Sequence, residues 1–361
     1  MIKNNQKSAV LYDFMQVPGG AERVTLALCE HFESMDLVTA FVDPTAFPEP
    51  PLHTSRLKTL ASSTSITGWH LLKSARAFER KTDFLKDYDS LIFSGSVAPL
   101  AIKNSGAAKN IYYCHTPPRF LYDLRDYYLD TATFLQKPVL KALMRYLQPR
   151  YEDAIGGMDK VFANSINVQM RLKKYLNVEA EVLYPPCDTE GFEWMGEGDY
   201  FLSTARLEPL KRVDLIVKAF KKMPDKKLIV TSGGSQLTSL KQLAGDAKNI
   251  TFTGWVSDME LRRLVGNCIA TIYIPKDEDF GISPVQSLAA GKPVIGVNEG
   301  GVAETVREPV DGVLISTPPS PKKVLEAVSA IESLNRSPLD LKAASLNFGQ
   351  AFMDRLARSL E

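Results

Sequence analysis

Short apolar runs recur along the chain, each followed by a turn and then by a segment whose apolar residues repeat every three or four positions. The runs predict buried strands and the longer repeats predict amphipathic helices. In the first half the strands fall at Ala9 to Phe14, Leu37 to Val42, Leu91 to Phe93, Asn110 to Cys114, Val161 to Ala163 and Val182 to Tyr184. Helical patterns cover 21–32, 69–85 and 119–155, the last two basic, and residues 43–68, rich in Pro, Ser and Thr, read as a long loop. Pro185-Pro186 breaks the pattern, and 187–199 reads as a linker. Alternation restarts at Tyr200, with strands at Phe201 to Thr204, Leu228 to Thr231, Ile250 to Phe252, Ile269 to Ile274, Val294 to Val297 and Val313 to Ile315. Strand-helix alternation with short buried strands predicts an α/β chain of parallel sheets covered on both faces. Two such runs joined by one linker predict two Rossmann-like domains, 1–190 and 191–338, with ligands outside the strand carboxyl ends, in the cleft between the domains.

Composition changes little in this picture. The 361 residues suit two ordinary domains, and a formal net charge of +1 supplies no global field for nucleic acid. Cys29, Cys114, Cys187 and Cys268 are far apart in sequence and predict free thiols in a reducing compartment. No apolar run approaches the ~20 residues of a membrane span, and the polar N-terminus predicts no signal peptide. The expected location is cytoplasmic.

The richest stretch runs from Pro275 to Thr305. A buried strand, Cys268 to Ile274, leads into an acidic loop, and a helix starts near Ile282 to Val285, with Ser283 placed to cap it and Pro284 to take its first position. Gly291 and Pro293 stop that helix, and Gly300-Gly301 opens another turn. A helix N-terminus above a strand end favours an anion. Glu278, Phe280, Gly281, Pro284, Ala289, Gly291, Pro293 and Val294 resemble the signature of retaining glycosyltransferase family 4, which carries Glu-x7-Glu around Phe-Gly. The second glutamate of that pattern is Gln286 here. The resemblance implies the GT-B fold, a nucleotide on the second domain, an acceptor on the first, and a last helix, 339–360, that crosses back to the first domain.

Other positions fit the same resemblance. Arg206 and Lys211 follow a buried strand, where a guanidinium fork and an ammonium suit a leaving diphosphate. His115, in Tyr112-Tyr113-Cys114-His115-Thr116-Pro117-Pro118, resembles the strand-His-Thr-Pro stretch of bacterial mannosyltransferases, which implies contact with the donor sugar. Gly19 and Gly20 resemble the family's N-terminal glycine loop, although a simple tight turn explains them equally. Gly233-Gly234 either approaches the nucleotide or makes a plain turn. Asn164-Ser165 fits the pattern with an acceptor-side or a structural role. Glu278 is implied for donor-sugar hydroxyls, Gln286 for the ribose, and Phe280, Gly281 and Ile282 for the donor pocket. The Gly254-Trp255-Val256-Ser257-Asp258 turn is implied to lie against the base. Asp258 is either a guanine reader, since a carboxylate accepts the paired N–H donors of guanine, or the N-cap of the next helix.

Two coincidences are set aside. Asp279-Phe280-Gly281 spells the kinase magnesium motif, but the chain has no kinase Gly-rich or His-Arg-Asp loop. Asp277-Glu278-Asp279 spells the Asp-x-Asp metal site of a single-domain mixed-sheet glycosyltransferase fold, which two parallel halves do not match, so no catalytic metal or other cofactor is expected. The resulting expectation is transfer of mannose from GDP-mannose to a lipid-linked saccharide in O-antigen synthesis. A UDP-sugar transferase, a nucleotide-sugar epimerase and a non-catalytic nucleotide-sugar binder stay open. Lys137, Lys141 and Arg145, interleaved with Leu140, Leu143, Met144 and Leu147, predict either membrane contact through 137–150 or an ordinary domain helix with a wet basic edge.

Overall fold

The computed structural model describes residues 6–17, 19–62, 69–333, 337–349 and 351–360. Pro18 of the glycine loop, the 63–68 end of the predicted long loop and Gln350 within the predicted last helix lie outside the described residues. The chain forms two compact units, Met1–Pro186 with Ala351–Glu361, and Cys187–Gln350.

The first unit holds a sheet of β1 (Ser8–Tyr12), β2 (Met35–Thr39), β3 (Leu57–Thr59), β4 (Ser90–Ser94), β5 (Lys109–Cys114), β6 (Lys160–Ala163) and β7 (Glu181–Val182), in the order β3-β2-β1-β4-β5-β6-β7. The second holds β8 (Tyr200–Ser203), β9 (Lys227–Thr231), β10 (Ile250–Gly254), β11 (Thr271–Ile272), β12 (Val294–Val297) and β13 (Gly312–Ile315), in the order β10-β9-β8-β11-β12-β13. Every strand pairing is parallel. Both orders run outward from the first strand of the unit and then return to its other side. This creates a topological switch between β1 and β4 and between β8 and β11. Apolar clusters cover both faces of each sheet. Leu11, Phe93 and Tyr112 pack on one face of the first, Val10, Ile92 and Phe162 on the other. In the second unit Phe201, Val230 and Ile272 face one way, Leu202 and Cys268 the other.

Several predicted elements differ. The loop over 43–68 contains β3, a short edge strand whose three half-buried or exposed residues carry no apolar run. The helix over 69–85 ends at Arg80, and a 3-10 turn follows at Asp83–Asp87. The segment 119–155 is two helices, Arg125–Thr131 and Gln136–Gly156. The linker-like 187–199 packs on the second unit: Phe192 is buried with Leu202 and Leu264, and Met195 N–H donates to Gly266 C=O at 2.9 Å. The predicted last helix is also two. Pro338–Ser345 buries Leu341 and Ala344 in the second unit, whereas Phe352–Leu360 buries Phe352, Leu356 and Leu360 in the first, with the Phe352 ring 5.1 Å from that of Tyr113.

Helix Gln136–Gly156 buries Leu143, Met144 and Leu147 in the core of the first unit. The apolar stripe expected to meet a bilayer is therefore occupied internally. Phe134 (87% exposed), Leu135 (80%) and Val139 (65%) at the start of that helix stay in solvent instead. Among the described residues, no helix is long and apolar enough to cross a membrane.

Candidate active site at the carboxyl edge of the second sheet

The loops leaving β10, β9, β8, β11 and β12 lie side by side because their strands do. Arg206 and Lys211 follow β8 and Glu278 follows β11, so the switch between these strands brings cation and carboxylate together. Lys211 Nζ donates to Glu278 Oε2 at 2.5 Å and to the Tyr273 hydroxyl at 3.2 Å. Burial disfavours the Lys211 cation, but Tyr273 and Glu278 outweigh it and raise its pKa above the usual lysine value. Burial and the Glu278 carboxylate push the Tyr273 phenol up to about 12, so it keeps its proton. The Arg206 side chain, by contrast, is exposed.

The Glu278 loop is braced by its neighbours. Gly301 N–H donates to Glu278 C=O at 2.7 Å, and Arg212 pairs with Glu299 at 2.8 Å, whose carboxylate also accepts from Asp277 N–H. Gly300 has φ +60° and would place a Cβ 2.6 Å from the Glu278 backbone, so a glycine is required there. The helix that follows runs Ile282–Ala289. Gly281, with φ +90°, occupies its N-cap position and Ser283 lies inside it, so neither Ser283 nor Pro284 takes the place predicted. Glycine takes this left-handed backbone without the Cβ cost that a serine would carry. Phe280 is buried, its ring 5.7 Å from Phe348.

Gln286 Nε2 donates to the Asp188 carbonyl at 3.4 Å, and the Asp188 carboxylate pairs with Arg262 at 3.2 Å. The amide at the position of the expected second glutamate thus touches the start of the unit's own chain. Gly233 C=O accepts from Leu207 N–H at 2.9 Å, and a Cβ on Gly233 would lie 2.6 Å from Trp255 Nε1. Trp255 is 68% exposed beside half-buried Val256. Ser257, not Asp258, caps the helix Asp258–Asn267, its hydroxyl accepting from Glu260 N–H at 3.2 Å. Asp258 is the first helical residue, and exposed.

His115 and the Gly19-Gly20 pair belong to the first unit. His115 leaves β5 with its ring edge-on to Tyr113, centroids 5.1 Å apart; its Nε2 is buried without a hydrogen-bond partner among the described residues, and burial pushes its pKa down to about 4. Gly19 caps the helix Gly20–His31 in extended backbone, and a Cβ there would meet Glu22 Oε2 at 2.8 Å. Asp13, at the end of β1, accepts the backbone N–H groups of Ser96, Val97 and Ala98 at 2.6 to 2.8 Å and so ties together the loops on both sides of that sheet's switch. Tyr273, Glu299 and Asp13 were not singled out from sequence, and Trp255 only as part of the turn against the base. Tyr273 is hidden in an apolar run, and the others lack a motif of their own.

Residues 190–347 match a family model described as glycosyl transferases group 1. The second unit is a glycosyl transferases group 1 domain. Among curated relatives, the alpha-1,3/1,6-mannosyltransferase of Dictyostelium discoideum is 26% identical over 299 residues, covering 69% of this chain and 67% of its own length. The O-antigen chain mannosyltransferase RfbU of Salmonella typhimurium is 29% identical over 223 residues, covering 59% and 60%. A D-inositol 3-phosphate glycosyltransferase of Mycobacterium marinum is 34% identical over 151 residues, covering 39% and 31%. Among solved structures, sucrose-phosphate synthase from Thermosynechococcus elongatus superposes with a TM-score of 0.77 at 15% identity, over 98% of both chains. HepE of Anabaena, solved with UDP and glucose, reaches 0.74 at 17% over 99% of both. The fold is GT-B, as expected, and glycosyltransferase is the class of all three curated relatives named here.

Proposed function

We propose that the chain is a retaining mannosyltransferase that moves mannose from GDP-mannose to a lipid-linked saccharide, in surface-polysaccharide assembly of the O-antigen kind. The observation that carries the reading is the Lys211–Glu278 pair at the β8/β11 switch, inside a glycosyl transferases group 1 domain. The mannosyltransferase relatives support the choice of sugar. In this reading Arg206 and Lys211 hold the departing diphosphate, whose charge grows as the glycosidic bond breaks. The start of helix Ile282–Ala289 adds its dipole, and no metal or other cofactor takes part. Glu278 holds donor-sugar hydroxyls and Gln286 the ribose. Gly233, Val256 and Asp258 line the base side, and Phe280, Gly281 and Ile282 shape the pocket between them. His115 and the Gly19-Gly20 loop serve the donor sugar from the first unit. The protein works at the cytoplasmic membrane surface, docking through Phe134, Leu135 and Val139 with Lys137, Lys141 and Arg145 alongside.

The experiment is a donor panel (GDP-mannose, UDP-glucose, UDP-galactose and UDP-N-acetylglucosamine), with and without lipid-linked saccharide acceptors, read by mass spectrometry. The reading expects a mannose increment on the acceptor and negligible donor turnover without it. Acceptor-independent conversion of the donor overturns it in favour of an epimerase.

A further inference from the structure

Tyr273 stands at the end of β11, anchored by its N–H to the Ile295 carbonyl at 2.8 Å. Its side chain is buried, 6% exposed, and touches three functional elements at once. Lys211 Nζ lies 3.2 Å from its hydroxyl and 5.5 Å from its ring centre. The Glu278 carboxylate acts on the same hydroxyl and helps it keep its proton. The ring edge sits 3.6 Å from where a Cβ on Gly281 would stand, under the turn into helix Ile282–Ala289.

A lysine head on a four-carbon stem is a mobile point charge, so holding it at one place costs side-chain entropy. Here two acceptors fix it before any ligand arrives. An ammonium has three N–H donors. With one on Glu278 and one on Tyr273, the third is left for an incoming phosphate oxygen. Glu278 cannot be the sole anchor if it also serves sugar hydroxyls. A phenol just past a sheet strand, with its N–H bonded to the neighbouring strand, has no such second duty and moves with the backbone of the core. We propose that Tyr273 is a positioning residue that aims the Lys211 ammonium at the β-phosphate of a nucleoside diphosphate. This rests on the donor-phosphate role given to Lys211 above.

The test is calorimetry of GDP, GMP, UDP and UMP on wild type, Tyr273→Phe, Lys211→Ala and the double variant. Phenylalanine keeps the ring and removes only the hydroxyl. The wild type is expected to bind its preferred diphosphate at least about tenfold tighter than the matching monophosphate, the size of one charge-assisted contact. Tyr273→Phe is expected to lose about tenfold for the diphosphate and less than about twofold for the monophosphate, a selectivity change that packing does not produce. In the Lys211→Ala background the same change is expected to have no effect, because the two residues act as a unit. A wild type without diphosphate preference overturns the role of Lys211 itself. A wild type with that preference, retained in Tyr273→Phe, overturns only the role of Tyr273. A loss equal for both ligands, or one that persists without Lys211, shows a folding defect and also overturns it.

Discussion

Lys211 Nζ sits 2.5 Å from Glu278 Oε2, with side chains 16% and 21% exposed, across the two strands where the strand order of the second sheet reverses. The pair is neither a surface ion pair, worth little, nor a fully buried one, whose desolvation cancels most of its attraction. Its cation is protonated throughout the working range. The folded pKa lies above the unfolded value of 10.5, so the pair's contribution is complete below that value and disappears only as pH rises through the folded one. Lys211→Ala should therefore cost both function and stability: about 10²–10³-fold in turnover, and roughly 1–2 kcal/mol from the stranded carboxylate. Arg206→Ala should cost similar turnover without moving the melting temperature, since that side chain is exposed. Turnover assays and thermal melts on both variants check this. Wild-type turnover in either removes that residue from the diphosphate site.

His115 should behave as a neutral group at any working pH, since burial lowers its pKa from 6.5 to about 4. Between those values the unfolded chain binds a proton that the folded chain refuses, so stability is complete above pH 6.5 and falls as pH drops toward 4. At ~1.4 kcal/mol per unit, the loss amounts to roughly 3 kcal/mol. His115→Asn should flatten this limb of a melting-temperature profile taken from pH 4 to 7. A parallel profile would mean that other groups carry the acid response, and an activity limb near 6.5 that vanishes in the variant would contradict the neutral assignment.

The strands and the carboxyl-edge loops were legible in the sequence because buried parallel strands carry unbroken apolar runs, and glycines mark where backbone must pass backbone. Elements without such runs were not: edge strand β3 has only Leu57 as a strongly apolar residue. The last helix read as one because apolar residues continue through 346–352, yet the chain turns at 346–349 and the two pieces belong to different units. Helix Gln136–Gly156 shows the limit of amphipathicity, since a stripe that packs on a core and one that meets a bilayer look alike in sequence. Tyr273 escaped notice for a related reason. In a buried strand a tyrosine reads as core until its hydroxyl partners are known.

Gln286 is an amide where the family pattern has a carboxylate, and its Nε2–H reaches the Asp188 carbonyl. A glutamate accepts only and would face that carbonyl. At 3.4 Å and partly exposed, the contact contributes less than about 1 kcal/mol. Gln286→Glu should therefore lower the melting temperature slightly while preserving activity and tightening nucleotide binding a few-fold, as a charged acceptor meets ribose hydroxyls. Calorimetry beside a thermal melt separates the two effects. An inactive, fully folded variant would exclude the ribose role.

Membrane docking on the first unit must use what the core leaves outside. Phe134, Leu135 and Val139 are exposed at the head of helix Gln136–Gly156, with Lys141 and Arg145 exposed farther along it. Apolar insertion beside cations suits an anionic surface, and phosphatidylglycerol vesicles should sediment the protein. Changing Phe134, Leu135 and Val139 to Ser should abolish sedimentation, and changing Lys137, Lys141 and Arg145 to Glu should weaken it and remove its salt dependence. Leu143→Ser, by contrast, should lower the melting temperature because that residue is core. Sedimentation unaffected by both sets would exclude this surface.

The base side offers the sharpest division between donors, because the capping residue and the proposed base reader are adjacent. Ser257 caps the helix Asp258–Asn267, which leaves the Asp258 carboxylate outside that duty. Guanine presents N1–H and an exocyclic amine together, and one carboxylate accepts both, whereas uracil has a single N–H flanked by acceptors. GDP should therefore bind well above UDP, measured by calorimetry. Trp255, 68% exposed beside Gly233, should report the same event through its fluorescence. Asp258→Asn should shrink the preference by about tenfold or more, as charged contacts become neutral or unmade, with the melting temperature unchanged. Ser257→Ala should do the reverse, costing about 1 kcal/mol of stability and leaving the GDP-to-UDP ratio alone. Equal GDP and UDP affinity in the wild type would sink the base reader and, with it, GDP-mannose as the donor.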